Sequence, residues 1–206
     1  MKGVTTTISR PARHTSAPVL LGGAAACLVG LILTYLLFVR TAAGQWADGL
    51  LLSDYRGLPR SAEEVLAATG DVKLWLVLVT VVLVIGALGG RWWRGVAGVG
   101  VILGAVGVAR LLKATLSRPD LDIVGSTTHN SFASGHVAAA AGLLVAFLLV
   151  VPAAARPWIA VPGGLSVAAV AWATVDAGWH RPSDVVGAVL IAAALALVVA
   201  AVTRVA

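Results

Sequence analysis

Residues 185–202 read Val-Val-Gly-Ala-Val-Leu-Ile-Ala-Ala-Ala-Leu-Ala-Leu-Val-Val-Ala-Ala-Val, without one charged side chain. A hydrocarbon core roughly 30 Å thick is crossed by about 20 helical residues rising about 1.5 Å each. This run and its flanks meet that length. Working outward from it, five more apolar stretches of similar size occur at 18–38, 73–90, 95–112, 135–152 and 158–175. The expected fold is therefore all-α: an integral membrane six-helix bundle over 18–206, preceded by a flexible basic cytoplasmic tail at 1–17. Thr41-Ala42-Ala43 is small enough for leader cleavage, but the first apolar run is about twenty residues, beyond the usual 7–15 of a signal peptide, and it reads as a span.

Composition agrees. Apolar residues make up 59% of the chain and charged ones 12%, against roughly a quarter charged in soluble domains. Cys27 stands alone, which excludes an internal disulfide. The net charge of +6 is dispersed between apolar runs rather than gathered on one face, so it indicates topology and not a nucleic-acid partner. With the N-terminus inside, the inner segments hold Lys2, Arg10, Arg13, Arg91, Arg94, Arg156 and Arg204, and all nine acids fall outside. Positively charged loops tend to remain cytoplasmic, which predicts a multi-pass plasma-membrane protein whose polar chemistry faces the extracytoplasmic side.

Smaller signals fill in the plan. Trp46, Trp92, Trp93, Trp158 and Trp179 lie near span ends and read as interfacial anchors. Ser61 to Glu64 resembles a capping box ahead of a short amphipathic helix. Pro162-Gly163-Gly164 predicts a kink or a close helix approach in the fifth span.

Three polar clusters sit at the outer ends of spans three to six. Lys113-Ala-Thr-Leu-Ser-Arg118-Pro119 supplies two cations, a point charge and a planar fork, suited to phosphate oxygens; the same pair also fits interfacial snorkelling. Phe132-Ala133-Ser134-Gly135-His136 opens a helix whose free N–H groups attract an anion, beside an imidazole able to carry a proton; Ser134 alone also reads as a simple N-cap. Gly178-Trp179-His180-Arg181-Pro182-Ser183-Asp184 places an acid four residues after a histidine. That spacing lets the carboxylate fix the ring tautomer and leave the other nitrogen as nucleophile, or makes Asp184 a first-turn acid that complements the helix dipole. Asp176, four residues before His180, is the rival orienting acid.

Taken together over residues 111–187, the clusters resemble the type 2 phosphatidic acid phosphatase superfamily, whose membrane members have six spans and a three-part signature of Lys/Arg-Pro, Ser-Gly-His and His-x-x-x-Asp. The resemblance implies a metal-independent lipid phosphate phosphatase without cofactor. His180 would be the nucleophile, Asp184 its orienting partner and His136 the general acid. Lys113, Arg118, Ser134 and Gly135 would hold the phosphoryl oxygens. The first motif is divergent: four residues separate Lys113 from Arg118, where the family usually has six. So is the third, with Ala173 and Thr174 where the family usually has Ser-Arg; Arg181 or Arg110 would supply the missing cation.

The expected activity is hydrolysis of a phosphate monoester or diphosphate from a membrane lipid, phosphatidate-like or polyprenyl, in a bacterial membrane. Transfer to an acceptor alcohol, and a silent binding protein or transporter, are the alternatives; against the last, ionisable residues lie at span ends and not at the bilayer midplane. His129, His136, His180 and an acid could form a metal site, but the close two-His helical spacing of metalloproteases is absent.

Overall fold

The computed structural model describes residues 16–50, 60–123 and 126–205. The tail expected at 1–17 thus lies outside the described residues except for Ser16 and Ala17, as do Asp54 and Arg56 of the first outer segment. Every regular element described is helical: α1 (Ala17–Thr34) running into a π-helical turn (Tyr35–Val39), α2 (Ala42–Gly49), α3 (Arg60–Gly70), α4 (Val72–Leu88), α5 (Trp92–Thr115), α6 (Gly135–Val150), α7 (Arg156–Asp176) and α8 (Pro182–Val205). Each of the six apolar stretches falls on one of these helices. Among the described residues four are long and apolar enough to cross a membrane, namely Ala17–Val39, Trp92–Thr115, Ala153–Asp176 and Pro182–Thr203. The pair α3 and α4, bent by 63°, makes a possible fifth, and α6 is shorter. The chain is a multi-pass membrane protein.

Small residues bring the helices together. Without a hydrophobic drive between helices in lipid, close backbone packing has to supply the contact energy. A Cβ on Gly98 would come within 2.9 Å of Ala146 Cβ, and one on Gly142 within 3.0 Å of Ile102 Cα, so α5 and α6 meet almost backbone to backbone. Gly86 opposes Gly95 in the α4–α5 hairpin, at 3.1 Å from such a Cβ to the Gly95 nitrogen. α1 lies along α8, with Gly23 and Gly30 receiving Leu197 and Leu190. α6 packs on α4, α5, α7 and α8, making the shortest of these helices the central one.

At Pro162 the outcome is close approach: α7 continues through the proline, and a Cβ on Gly163 would collide with Leu144 of α6. The amphipathic helix expected after Ser61 is α3, with Ser61 in its first turn, and its Ala62 and Leu66 pack on Ala173 of α7 and on Ala177, the residue that ends that helix. The Trp75 indole donates to the Thr69 carbonyl at 2.8 Å, bracing the α3–α4 bend.

Candidate active site

One end of the bundle gathers the C-terminal ends of α5 and α7, the N-terminal ends of α6 and α8, and α2. Arg118 precedes Pro119, and a residue before proline is driven out of the helical region; α5 stops at Thr115 and Leu116 is extended. The Asn130 amide donates to the Leu112 and Leu116 carbonyls, at 3.3 and 2.9 Å, and so ties the segment leading to α6 onto the exposed end of α5.

That segment is buried from Ser131 to Ser134. Its anchor is Phe132, fully enclosed, whose ring fits where a Cβ on Gly187 would come within 2.7 Å. Ser134 caps α6 through its hydroxyl, accepting from the Val137 N–H at 3.4 Å, and its own N–H donates to the Asp184 carbonyl at 3.0 Å. The starts of α6 and α8 are thereby joined. Gly135 opens α6 with no atom within 4 Å of where a Cβ would sit, so packing does not demand a glycine there.

The third cluster is presented by a Schellman turn at the end of α7. Gly178 has φ +68, its N–H donates to the Val175 carbonyl at 2.9 Å, and the Trp179 N–H donates to the Thr174 carbonyl at 3.0 Å. Glycine takes that left-handed position without the Cβ penalty. The His180 N–H shares the Thr174 carbonyl at 3.1 Å, which fixes the histidine backbone just before α8.

Asp184 acts twice. As a first-turn acid of α8 its Oδ2 accepts the Arg181 N–H at 2.9 Å, the reach-back of a capping box. The same oxygen accepts the Ser131 hydroxyl at 2.6 Å and lies 3.3 Å from His180 Nδ1. The two readings of this acid, helix cap and partner of the imidazole, are both true, and Asp184 rather than Asp176 makes that contact with His180. Its other oxygen, Oδ1, is 3.6 Å from Arg118 Nη2, and both side chains are wholly enclosed. Nε, Nη1 and Nη2 of Arg118 have no hydrogen-bond partner among the described residues. Burial and the nearby Arg181 charge pull this guanidinium below its ordinary pKa.

An open cavity of about 650 Å³ reaches His180, lined also by Arg110, Lys113, Asn130, Ser131 and Trp179 among others; the enclosed Arg118 lies behind this lining. His136 is half-buried on the first turn of α6, its ring tilted on Trp179 with centroids 5.7 Å apart, and His180 and Lys113 lie within its electrostatic reach. Trp179, expected as an interfacial anchor, also packs on the site. The fold thus brings Lys113, Arg118, Ser134, Gly135, His136, His180, Arg181 and Asp184 to one end. Thr174, at the divergent third-motif position, is buried and contributes its carbonyl. His129 is exposed, and no group of three or more His, Cys, Asp or Glu among the described residues is arranged to hold a metal ion.

Sequence reasoning missed four polar residues here: Asn130, Ser131, Gln45 and Asp48. Asp48 is 2% exposed; Ser183 donates its N–H to Oδ1 at 3.0 Å and its hydroxyl pairs with Oδ2. Burial pushes the Asp48 carboxyl above the ordinary range, against the opposing effect of those Ser183 hydrogen bonds. The only signal in the sequence was that Gln45 and Asp48 are polar and three apart in a short segment.

A solved structure titled as the first transmembrane PAP2 type phosphatidylglycerolphosphate phosphatase from Bacillus subtilis superposes with a TM-score of 0.66 at 20% identity, covering 88% of this chain and 95% of that one. The likeness at that identity is one of fold. No curated protein sequence matches. The sequence profile of the PAP2 superfamily matches residues 96–205, more than half of the chain and all three polar clusters, and the protein belongs to that superfamily.

Proposed function

We propose that the protein is a lipid phosphate phosphatase working through a phosphohistidine on His180. The observation that carries this reading is the enclosed Arg118, whose donors have no hydrogen-bond partner among the described residues, beside a His180–Asp184 pair. Buried donors without partners are costly, and phosphoryl oxygens supply charged acceptors that match a guanidinium fork.

In the proposed reaction Asp184 holds His180 Nδ1, leaving Nε2 to attack phosphorus. The bond from phosphorus to the lipid oxygen, or to the bridging oxygen of a diphosphate, breaks as His136 gives that oxygen a proton. Water then attacks the phosphohistidine, passing a proton to His136; the P–N bond breaks, inorganic phosphate leaves and both histidines return to their starting states. Arg118, Lys113, the Gly135 N–H and Ser134 stabilise charge on the equatorial oxygens, the main task in phosphoryl transfer. Arg181, buried and close enough to Arg118 for their charges to interact, stands in for the family's absent third-motif cation; Arg110, lining the cavity beside Lys113, is the alternative. No step needs a metal.

The charge distribution supports six spans, α6 and its extended flanks making one, with the site on the extracytoplasmic side of the plasma membrane and the N-terminus cytoplasmic. A second cavity of about 530 Å³, lined by Trp75, Leu78, Leu143, Phe147, Ile159 and Val170 among others, offers apolar room for a lipid chain between α4, α6 and α7. The substrate class is a phosphatidate-like monoester or a polyprenyl diphosphate. The test is phosphate release from a panel of such lipids by purified protein with chelator present. We expect release by wild type and loss with His180→Ala and His136→Ala; equal release by wild type and the His180 variant would reject the nucleophile.

A further inference from the structure

Asp48 belongs to none of the three clusters, and its partner Ser183 lies 135 positions away in the chain. Both carboxylate oxygens are committed to that one residue, which directly precedes Asp184 in the first turn of α8. Nearly one turn earlier, Gln45 is equally enclosed. Its amide donates to the Pro119 and Val39 carbonyls at 2.9 Å each, and its Oε1 accepts the Ser126 hydroxyl at 2.9 Å. Residues three apart share a helix face, so one face of α2 grips two segments: the one carrying Arg118 and the one carrying Asp184.

The helix is firmly seated. Thr41 caps it by accepting the Gly44 N–H at 3.0 Å, and a Cβ on Gly44 would meet Phe38 Cα at 2.6 Å, so α2 folds tightly back on the π-helical turn. Burying a carboxylate costs several kcal/mol unless its hydrogen bonds compensate. A packed apolar residue would cover the same surface more cheaply but could not accept the N–H of a helix first turn. The role that fits is orientation.

We infer that Asp48 and Gln45 form a positioning clamp, which sets the separation of the phosphate-gripping Arg118 from the His180–Asp184 pair. This rests on the phosphohistidine reading above. Asp48 touches neither substrate nor the reacting atoms; it acts through Ser183 on the first turn that holds Asp184, and Gln45 acts through Pro119 on Arg118. Loss of groups that orient the residues touching a reacting centre typically costs about 10- to 100-fold.

The test uses the full chain in detergent with dioctanoyl phosphatidate as probe, and Asp48→Ala, Asp48→Asn, Ser183→Ala and the Asp48→Asn/Ser183→Ala double variant. We expect kcat to fall about 10- to 100-fold in Asp48→Ala with KM within about twofold of wild type, a smaller fall in Asp48→Asn, and a double variant no worse than its worse parent. The NMR resonances of the His180 ring should also move in Asp48→Ala, a readout of ring placement that simple loss of stability would not change. Should Asp48→Ala fail to fold, Asp48→Asn and Ser183→Ala carry the same comparison. Wild-type kcat or unmoved His180 ring resonances in the Asp48 variants, or strictly additive losses in the double variant, would overturn the clamp. Absence of phosphate release from wild type would instead count against the function, while the His180 ring resonances would still decide the clamp.

Discussion

Arginines at the two ends of this bundle live in opposite environments. At one end Arg94 lies over the Trp93 ring at 5.1 Å, Arg91 and Arg156 are exposed, and Trp92 and Trp158 are 67% and 81% exposed. That is the arrangement of side chains that keep charge in the interface while their stems cover apolar surface. At the other end Arg118 is 2% exposed and faces Asp184, with Asp48 and Arg181 in electrostatic range. Enclosure, not residue type, thus separates the surface arginines from Arg118, the one proposed to meet phosphate.

Breaking that contrast gives the largest expected effects. His180→Ala should lower phosphate release by about a thousandfold or more, as removal of a covalent nucleophile generally does. Arg118→Gln should cost about 10²–10³-fold, the loss typical of one preorganised charge-stabilising group. Arg94→Gln at the opposite end should leave turnover within about twofold, since exposed charges away from such features contribute little. A large loss from Arg94→Gln, or none from Arg118→Gln, measured under identical detergent conditions, would erase the distinction between the ends.

Two substitutions sharpen it further. Gly187→Leu drives a side chain into the Phe132 ring and should cost about 1–3 kcal/mol as overpacking, read as a drop in thermal midpoint together with lost activity. Gly187→Ala should do the same less severely. Gly178→Ala forces a Cβ into a left-handed position at about 1–2 kcal/mol, and should impair turnover because the same turn aims His180.

The smallest effect is one of pH. Burial raises the folded-state pKa of Asp48, so the folded form holds that proton more tightly than the unfolded chain. Stability from this group is greatest below the ordinary carboxylate value and is lost as pH rises from there through the raised value. Asparagine does not titrate, so the thermal midpoint of Asp48→Asn relative to wild type should climb as pH rises across that window. A constant difference from acid to neutral pH would show that burial does not perturb Asp48.

The helices were legible because apolar runs announce themselves locally. Their bounds held to within a few residues: α6 starts at Gly135 behind the Ser134 cap, as expected, α5 runs past the expected stretch at both ends, from Trp92 to Thr115, and the first span ends in a π-helical turn at Val39. The break between α3 and α4 falls at Gly70 and Asp71, a helix stop followed by a cap that accepts the Lys73 N–H at 2.8 Å, but the 63° of the bend does not follow from those residues. At the site, Arg118, Ser134, His136, His180 and Asp184 were legible as short motifs whose spacing matches helix geometry. Ser131 and Asp48 were not, because their partners stand 53 and 135 positions away and single polar residues carry no period. The alternatives for Asp184, helix cap or partner of the imidazole, could not be separated in sequence because one carboxylate oxygen does both.

If phosphorus is transferred to His180, the phosphorylated enzyme can be trapped. The direct measurement is to mix the protein with lipid carrying ³²P in its phosphate, quench in denaturing alkali within a turnover, and map the label by mass spectrometry. We expect an acid-labile, alkali-stable phosphoramidate on His180, absent in His180→Gln and accumulating when His136 is replaced if water attack then becomes the slower step. Label on any other residue, or phosphate release that persists in His180→Gln, would contradict it.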